Sequence, residues 1–329
     1  MPSWNDKCRC RFAFDADVAE VKRDTAGPTS NTSVEITCAD GVILRGHYWP
    51  TQRQGTSISI VINPATGVLA RYYNRYAQYL ADNGLNVLTY DYRGIGASRP
   101  AALRRCGYRW RDWGEFDFDA ALRWISALRP KDRVAVVGHS IGGFLPGLAA
   151  NAPAVDRMLT VGAQFAYWPD YAAGNRLRLF LKWHVAMPAL TALFGYFPGR
   201  RLGWLEDLPA GVAYEWSFRR SRMELSYPAS RREEVLNRFT AFTAPIMAVS
   251  APDDIYATPA AVHRGLAYYH RAAQRTVIRF GPDELGIAPQ GHFGLFHSAH
   301  RDVFWRDTVL WLRDGKNPWR DNPEAAYRA

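Results

Sequence analysis

The chain has 329 residues, 48% of them apolar, enough for a substantial core in one large α/β domain carrying an insertion. Four cysteines (Cys8, Cys10, Cys38 and Cys106) make no disulfide framework at this length, and Cys8-x-Cys10 lacks the spacing of a zinc site, so no metal or cofactor is expected. The formal charge of +10 is spread over short pairs such as Arg104-Arg105 and Arg219-Arg220, the pattern of a solvated basic surface, so no nucleic-acid partner is expected either.

Residues 1–30 read as a poorly structured arm ending near Gly27-Pro28. The first twenty residues contain no apolar core of a signal peptide, and no run of about 18 apolar residues occurs. Neither export nor stable membrane insertion is therefore expected, and the expected compartment is the cytoplasm. Segments 33–38 and 42–49 flank Ala39-Asp40-Gly41, a hairpin signal. Ile58–Asn63 is a short apolar run suited to a buried strand, and 69–83 has helical spacing closed by Gly84. The alternation continues with a strand at Asn86–Tyr90, a helix at 115–128, a strand at 134–137, a helix at 141–150 and a strand at 158–162. Strands alternating with helices predict a mostly parallel sheet covered on both faces, with the leading hairpin adding antiparallel strands at one edge.

From 168 to 242 the alternation stops, and helical pieces rich in aromatic residues appear at 176–193 and 214–225. The sheet pattern returns with a strand at 245–250, a helix at 258–269, a strand at 276–280 and a last helix at 303–312. The expected division is a core of 31–167 and 243–315, a helical cap of 168–242, and a tail of 316–329.

Gly138-His139-Ser140-Ile141-Gly142 fits G-x-S-x-G, a pattern that places a serine on a sharp strand-to-helix turn. The glycines let the turn close, and the following helix would aim its N–H groups and dipole at the reacting carbonyl. A serine hydroxyl needs a base to take its proton, and in this fold the chain order is serine, acid, histidine. His292, in the glycine-flanked loop after the last strand, is the candidate base. Asp254 is the candidate acid, with the adjacent Asp253 as the alternative. The oxyanion donors are expected to be the backbone N–H groups of Ile141 and of Thr66, in the loop after the strand ending at Asn63. Trp183, Trp204, Trp216 and His139 are candidate substrate-pocket residues.

With these residues in view, the chain resembles the α/β-hydrolase superfamily over 33–315. Asp91-Tyr92-Arg93-Gly94-Ile95-Gly96-Ala97-Ser98 is similar to the D-x-R-G-x-G-x-S loop of its lipase, esterase and peptidase-like members, where it shapes the pocket floor. Gly138–Gly143, 198–212 and 291–294 resemble a group of bacterial hydrolases whose substrate is unassigned. The resemblance implies an α/β-hydrolase fold and an acyl-enzyme on Ser140, with a small-molecule acyl substrate and an ester of the carboxylesterase or lipase type as the leading choice. Thioesters and amides also fit, as does acyl transfer by the same triad. A non-catalytic binding protein of the same fold is the reading from another class. Oligomeric state is not legible in the sequence.

Overall fold

The computed structural model describes residues 31–53, 55, 57–280 and 290–319. The expected arm at 1–30 and most of the tail at 316–329 lie outside these residues, as do Cys8 and Cys10. An eight-stranded sheet runs in the order β1-β2-β4-β3-β5-β6-β9-β10. In chain order its strands are β1 (Thr32–Thr37), β2 (Ile43–Trp49), β3 (Ile58–Asn63), β4 (Asn86–Tyr90), β5 (Arg133–His139) and β6 (Val155–Val161). A two-stranded ribbon, β7 (Tyr196–Phe197) and β8 (Leu208–Pro209), lies in the inserted segment, followed by β9 (Ile246–Ser250) and β10 (Arg275–Arg279).

Within the eight-stranded sheet the β1–β2 and β2–β4 pairs are antiparallel and the remaining pairs parallel. The edge hairpin turns at Gly41, whose φ of +83° is the left-handed conformation that glycine adopts without steric cost.

Alternation along the central strands divides the core into two layers. Val61, Val136 and Met158 face one side, with Leu122, Ile125, Val235 and Phe239. Ile60, Ile62, Val137 and Leu159 face the other, with Tyr73, Tyr76, Leu80, Trp305 and Leu312. β3 is buried at every position and is apolar except at Ser59 and Asn63, as fits a strand covered on both faces.

Some expected helices take a different form. The expected helix 141–150 is two short 3₁₀ turns, Ser140–Gly143 and Leu145–Leu148. Pro146 lacks the N–H that a continuous helix would use, and Gly142, Gly143 and Gly147 weaken helix propensity around it. A long helix dipole behind Ser140 is thus replaced by the N–H groups of one tight turn.

Between β6 and β9 the helix beginning at Arg176 reaches Phe194, and Gly195 caps it with φ +75°. Its middle, Leu181–Ala186, is a wide π turn that closes through i→i+5 bonds. The expected 214–225 helix is instead Ala210–Ser217 followed by a separate turn at Met223–Ser226, and Arg232–Ala241 forms a helix that the periodicity did not indicate.

Candidate active site

The sheet order brings the ends of β3 and β5 side by side while their following loops diverge, since β4 lies beyond β3 and β6 beyond β5. Such a switch point opens a crevice at the carboxyl ends of the strands. Ser140 stands there, immediately after β5, with φ +54°. That left-handed conformation costs a non-glycine residue about 1–2 kcal/mol and is held by its surroundings. A Cβ on Gly138 would collide with the backbone of Gly143, and one on Gly142 with the carbonyls of Asn63 and Pro64. The turn is further tied to β3 by Asn63, whose Nδ2 donates to the Gly142 carbonyl at 3.2 Å.

The loop after β10 returns His292 to the same crevice. Its Nδ1 lies 2.7 Å from Asp254 Oδ2, while Asp254 Oδ1 accepts the N–H groups of Tyr256 and Ala257 at 2.8 and 2.9 Å. Burial would raise the Asp254 carboxyl, but His292 and the two N–H donors outweigh it and hold the group below its usual range. The acid in contact with His292 is therefore Asp254, while Asp253 is exposed. Beneath them Gly162, with φ +58°, gives the pair room: a Cβ there would sit 2.9 Å from Asp254 Oδ2 and 3.2 Å from His292 Nδ1.

Ser140, His292, Ile141 and Thr66 line one cavity of about 100 Å³. Ser140 and His292 are not hydrogen-bonded to each other here. Among the described residues, the hydrogen bond to Ser140 Oγ comes from Gln164 Nε2 at 3.4 Å. Catalytic hydrogen bonds of this kind often tighten only when substrate is bound. Gln164 was not singled out by the sequence. It projects from the loop after β6, anchored through Oε1 to the N–H of Ala166, itself at φ +61°.

Trp183, Trp204 and Trp216, all from the inserted segment, line the cavity. Trp183 stacks on Trp216 with ring centroids 4.6 Å apart and meets Trp204 edge-on at 5.6 Å. Lys182 and Arg219 line it too, and neither was anticipated. Other aromatics of the segment have different places: Phe197 is buried behind Trp183 and Trp204, and Phe218 is exposed.

His139 does not line the cavity; it lies fully buried below it. Its Nε2 is 2.8 Å from the His292 carbonyl and its Nδ1 2.7 Å from Tyr73 Oη. A carbonyl only accepts, so Nε2 carries the proton and Nδ1 accepts the Tyr73 hydroxyl. Tyr73 Oη in turn accepts the N–H of Ala65 at 3.0 Å. One chain of hydrogen bonds thus joins the loop before Thr66 to the backbone of His292. Burial, with His292 close by, pushes the His139 imidazole down to about 3, so it stays neutral and keeps this pattern.

The Asp91–Ser98 loop departs from the pocket-floor role that the resemblance implies, for none of its residues lines this cavity. Asp91 accepts the N–H groups of Ala70 and Ala97 at 2.7 and 2.8 Å, and Arg93 pairs with Asp117 and Asp40. The loop braces the turn that follows the Thr66 loop.

The family profile described as serine aminopeptidase, S33 (Hydrolase_4) matches residues 58–277. Among solved structures, a soluble variant of monoglyceride lipase from Saccharomyces cerevisiae with a substrate analogue superposes with a TM-score of 0.62 at 12% identity, over 88% of this chain and 96% of that one. DcsB in complex with its substrate analogue gives 0.59 at 15%, over 87% and 100%, and the Pyrococcus furiosus esterase Pf2001 gives 0.55 at 17%, over 89% and 95%. No curated protein matches the sequence. At these identities the structures speak to the fold, and the match over 58–277 speaks to descent: the chain belongs to the serine aminopeptidase S33 family (Hydrolase_4) of the α/β-hydrolases.

Proposed function

We propose that the protein is a serine hydrolase that cleaves a carboxylic ester through an acyl-enzyme on Ser140, with residues 168–242 as its cap. The observation that carries this reading is the strained Ser140 turn opening on the same cavity as a histidine fixed by a buried aspartate at 2.7 Å. In the reaction, His292 Nε2 takes the Ser140 proton as Oγ attacks the carbonyl, and returns it to the departing alcohol. Water then enters by the same route, with His292 again acting as base. Asp254 holds the imidazole with Nδ1 protonated and favours its cationic form. The N–H groups of Ile141 and Thr66 would receive the oxyanion, each contributing about 3 kcal/mol to the transition state.

Aminopeptidase activity, suggested by the family's name, calls for a carboxylate to hold the substrate's free ammonium group. Among the described residues lining the cavity there is no Asp or Glu, whereas Lys182 and Arg219 are present. The lining therefore favours an ester without a free amine.

The test is hydrolysis of a p-nitrophenyl ester series, from acetyl to long-chain, by wild type and Ser140→Ala side by side. Turnover that vanishes in the variant supports the assignment, and the small cavity leads us to expect a short-chain optimum. Equal rates in both proteins would sink it.

A further inference from the structure

The cavity that holds Ser140 and His292 carries a charge imbalance that ester cleavage alone does not require. Lys182 and Arg219 line it, with no acidic counterpart among the described lining residues. Arg219 is only 5% exposed, yet its Nε and Nη1 are buried and meet no hydrogen-bond acceptor among the described residues. Its guanidinium lies 3.8 Å from the Trp110 ring centroid, an attraction to a π face that leaves the N–H groups unpaired. The acid that acts most on Arg219 is Glu215, already 3.1 Å from Arg111 and pushed by burial up to about 7. Near neutral pH, one partly protonated carboxyl therefore answers two guanidinium groups. Lys182 Nζ sits 4.4 Å from the ring centroids of both Trp183 and Trp204 and makes no ion pair among the described residues.

A buried guanidinium without acceptors is a costly arrangement. It is understandable in a cavity that receives another molecule, if that molecule brings the acceptor. We infer that the substrate carries a carboxylate besides its scissile ester, and that Arg219, assisted by Lys182, receives it. This rests on the hydrolase reading of Ser140 and narrows its substrate to short, acid-bearing esters. Size sets one limit: a space of about 100 Å³ beside Ser140 disfavours a long acyl chain. The carboxylate can belong to the acyl part, as in a dicarboxylic half-ester, or to the alcohol part, as in an ester of a hydroxy acid.

Two substrate pairs distinguish these sources. Ethyl hydrogen glutarate is compared with ethyl 5-methylhexanoate, in which an isopropyl group replaces the carboxylate. The pentanoyl ester of glycolate is compared with isobutyl pentanoate. Products are followed by chromatography at pH 7. The expected result is a kcat/KM favouring the acid in one pair by about tenfold or more, falling toward unity in Arg219→Met and partly kept in Arg219→Lys. Each ratio is taken within one protein, so a loss of folded enzyme cancels. The preference should also shrink above pH 8, because burial and Arg178 push the Lys182 ammonium down to about 8. As a second readout, glutarate should slow labelling of Ser140 by a neutral fluorophosphonate in wild type and not in Arg219→Met. Labelling of Ser140 with neither preference nor protection overturns the inference, as does a preference that survives Arg219→Met. A Ser140 that takes no label overturns instead the hydrolase reading beneath it.

Discussion

Replacing Tyr73 by Phe removes one oxygen and unpairs two buried groups. The ring is fully buried, as is His139, and Ala65 is nearly so. Without the hydroxyl, the Ala65 N–H loses its acceptor and His139 Nδ1 loses its donor. An unsatisfied buried donor or acceptor costs about 1–3 kcal/mol, so Tyr73→Phe, which leaves two, should lower the unfolding free energy by roughly 2–6 kcal/mol. The site should suffer as well, since Ala65 precedes Thr66 and His139 holds the His292 backbone. Loosening both ends of the chain should lower kcat about tenfold or more while KM changes little, the pattern of an interaction that matters mainly in the transition state. Urea unfolding supplies the first number, read as a shift in midpoint with the slope unchanged. Initial rates on a p-nitrophenyl ester supply the second. A variant with wild-type midpoint and kcat would refute the positioning role assigned to Tyr73 and His139.

Gly162→Ala should abolish most ester turnover, because its Cβ would press on Asp254 Oδ2 and His292 Nδ1 from a backbone conformation that alanine already disfavours; an active, stable variant would show that the contact yields easily. Asp254→Asn should lower kcat by several orders of magnitude, about 10⁴ for the comparable change in a serine protease, and Asp253→Asn should leave it near wild type; the reverse outcome would exchange their roles. His139 gives a pH dependence of stability. Its folded pKa is depressed to about 3 against an ordinary value of 6.5, so the unfolded chain binds the extra proton between these limits. Its contribution is full above pH 6.5 and is lost as pH falls toward 3, at up to about 1.4 kcal/mol per pH unit. Urea titrations of wild type and His139→Asn should show this part of the slope disappear in the variant.

The strands and the elbow were legible because their signals are local. Four apolar positions among the six of Ile58–Asn63, or glycines two places either side of Ser140, are consequences of one strand or one turn. Asp254 and His292 were readable as residues after particular strands, but the choice of Asp254 over Asp253 turned on which side chain faces inward, a matter of loop geometry. His139 was misplaced because adjacency to Ser140 says nothing of direction: after β5 the chain turns sharply, sending the serine to the cavity and the histidine beneath it. Gln164, Lys182 and Arg219 carry no motif. They reach the cavity through the loop after β6 and the packing of the inserted segment, contacts that only the assembled chain creates. Tyr73 and His139 meet across 66 positions of sequence and could not be paired in advance.

The wide turn at Leu181–Ala186 bears on how this pocket can change over time. Such a turn holds one residue more than an ordinary helical turn, and here it carries Lys182 and Trp183. The turn absorbs its extra residue, so the helix on either side keeps its phase, and deleting one residue would restore regular pitch while changing which side chains stand at the turn itself. Trp183 or its neighbours would exchange places at the wall of the pocket, while β5, β9 and the loop carrying His292 kept their register. A one-codon length change in this helix would therefore remodel one wall of the cavity and leave Ser140, Asp254 and His292 where they are.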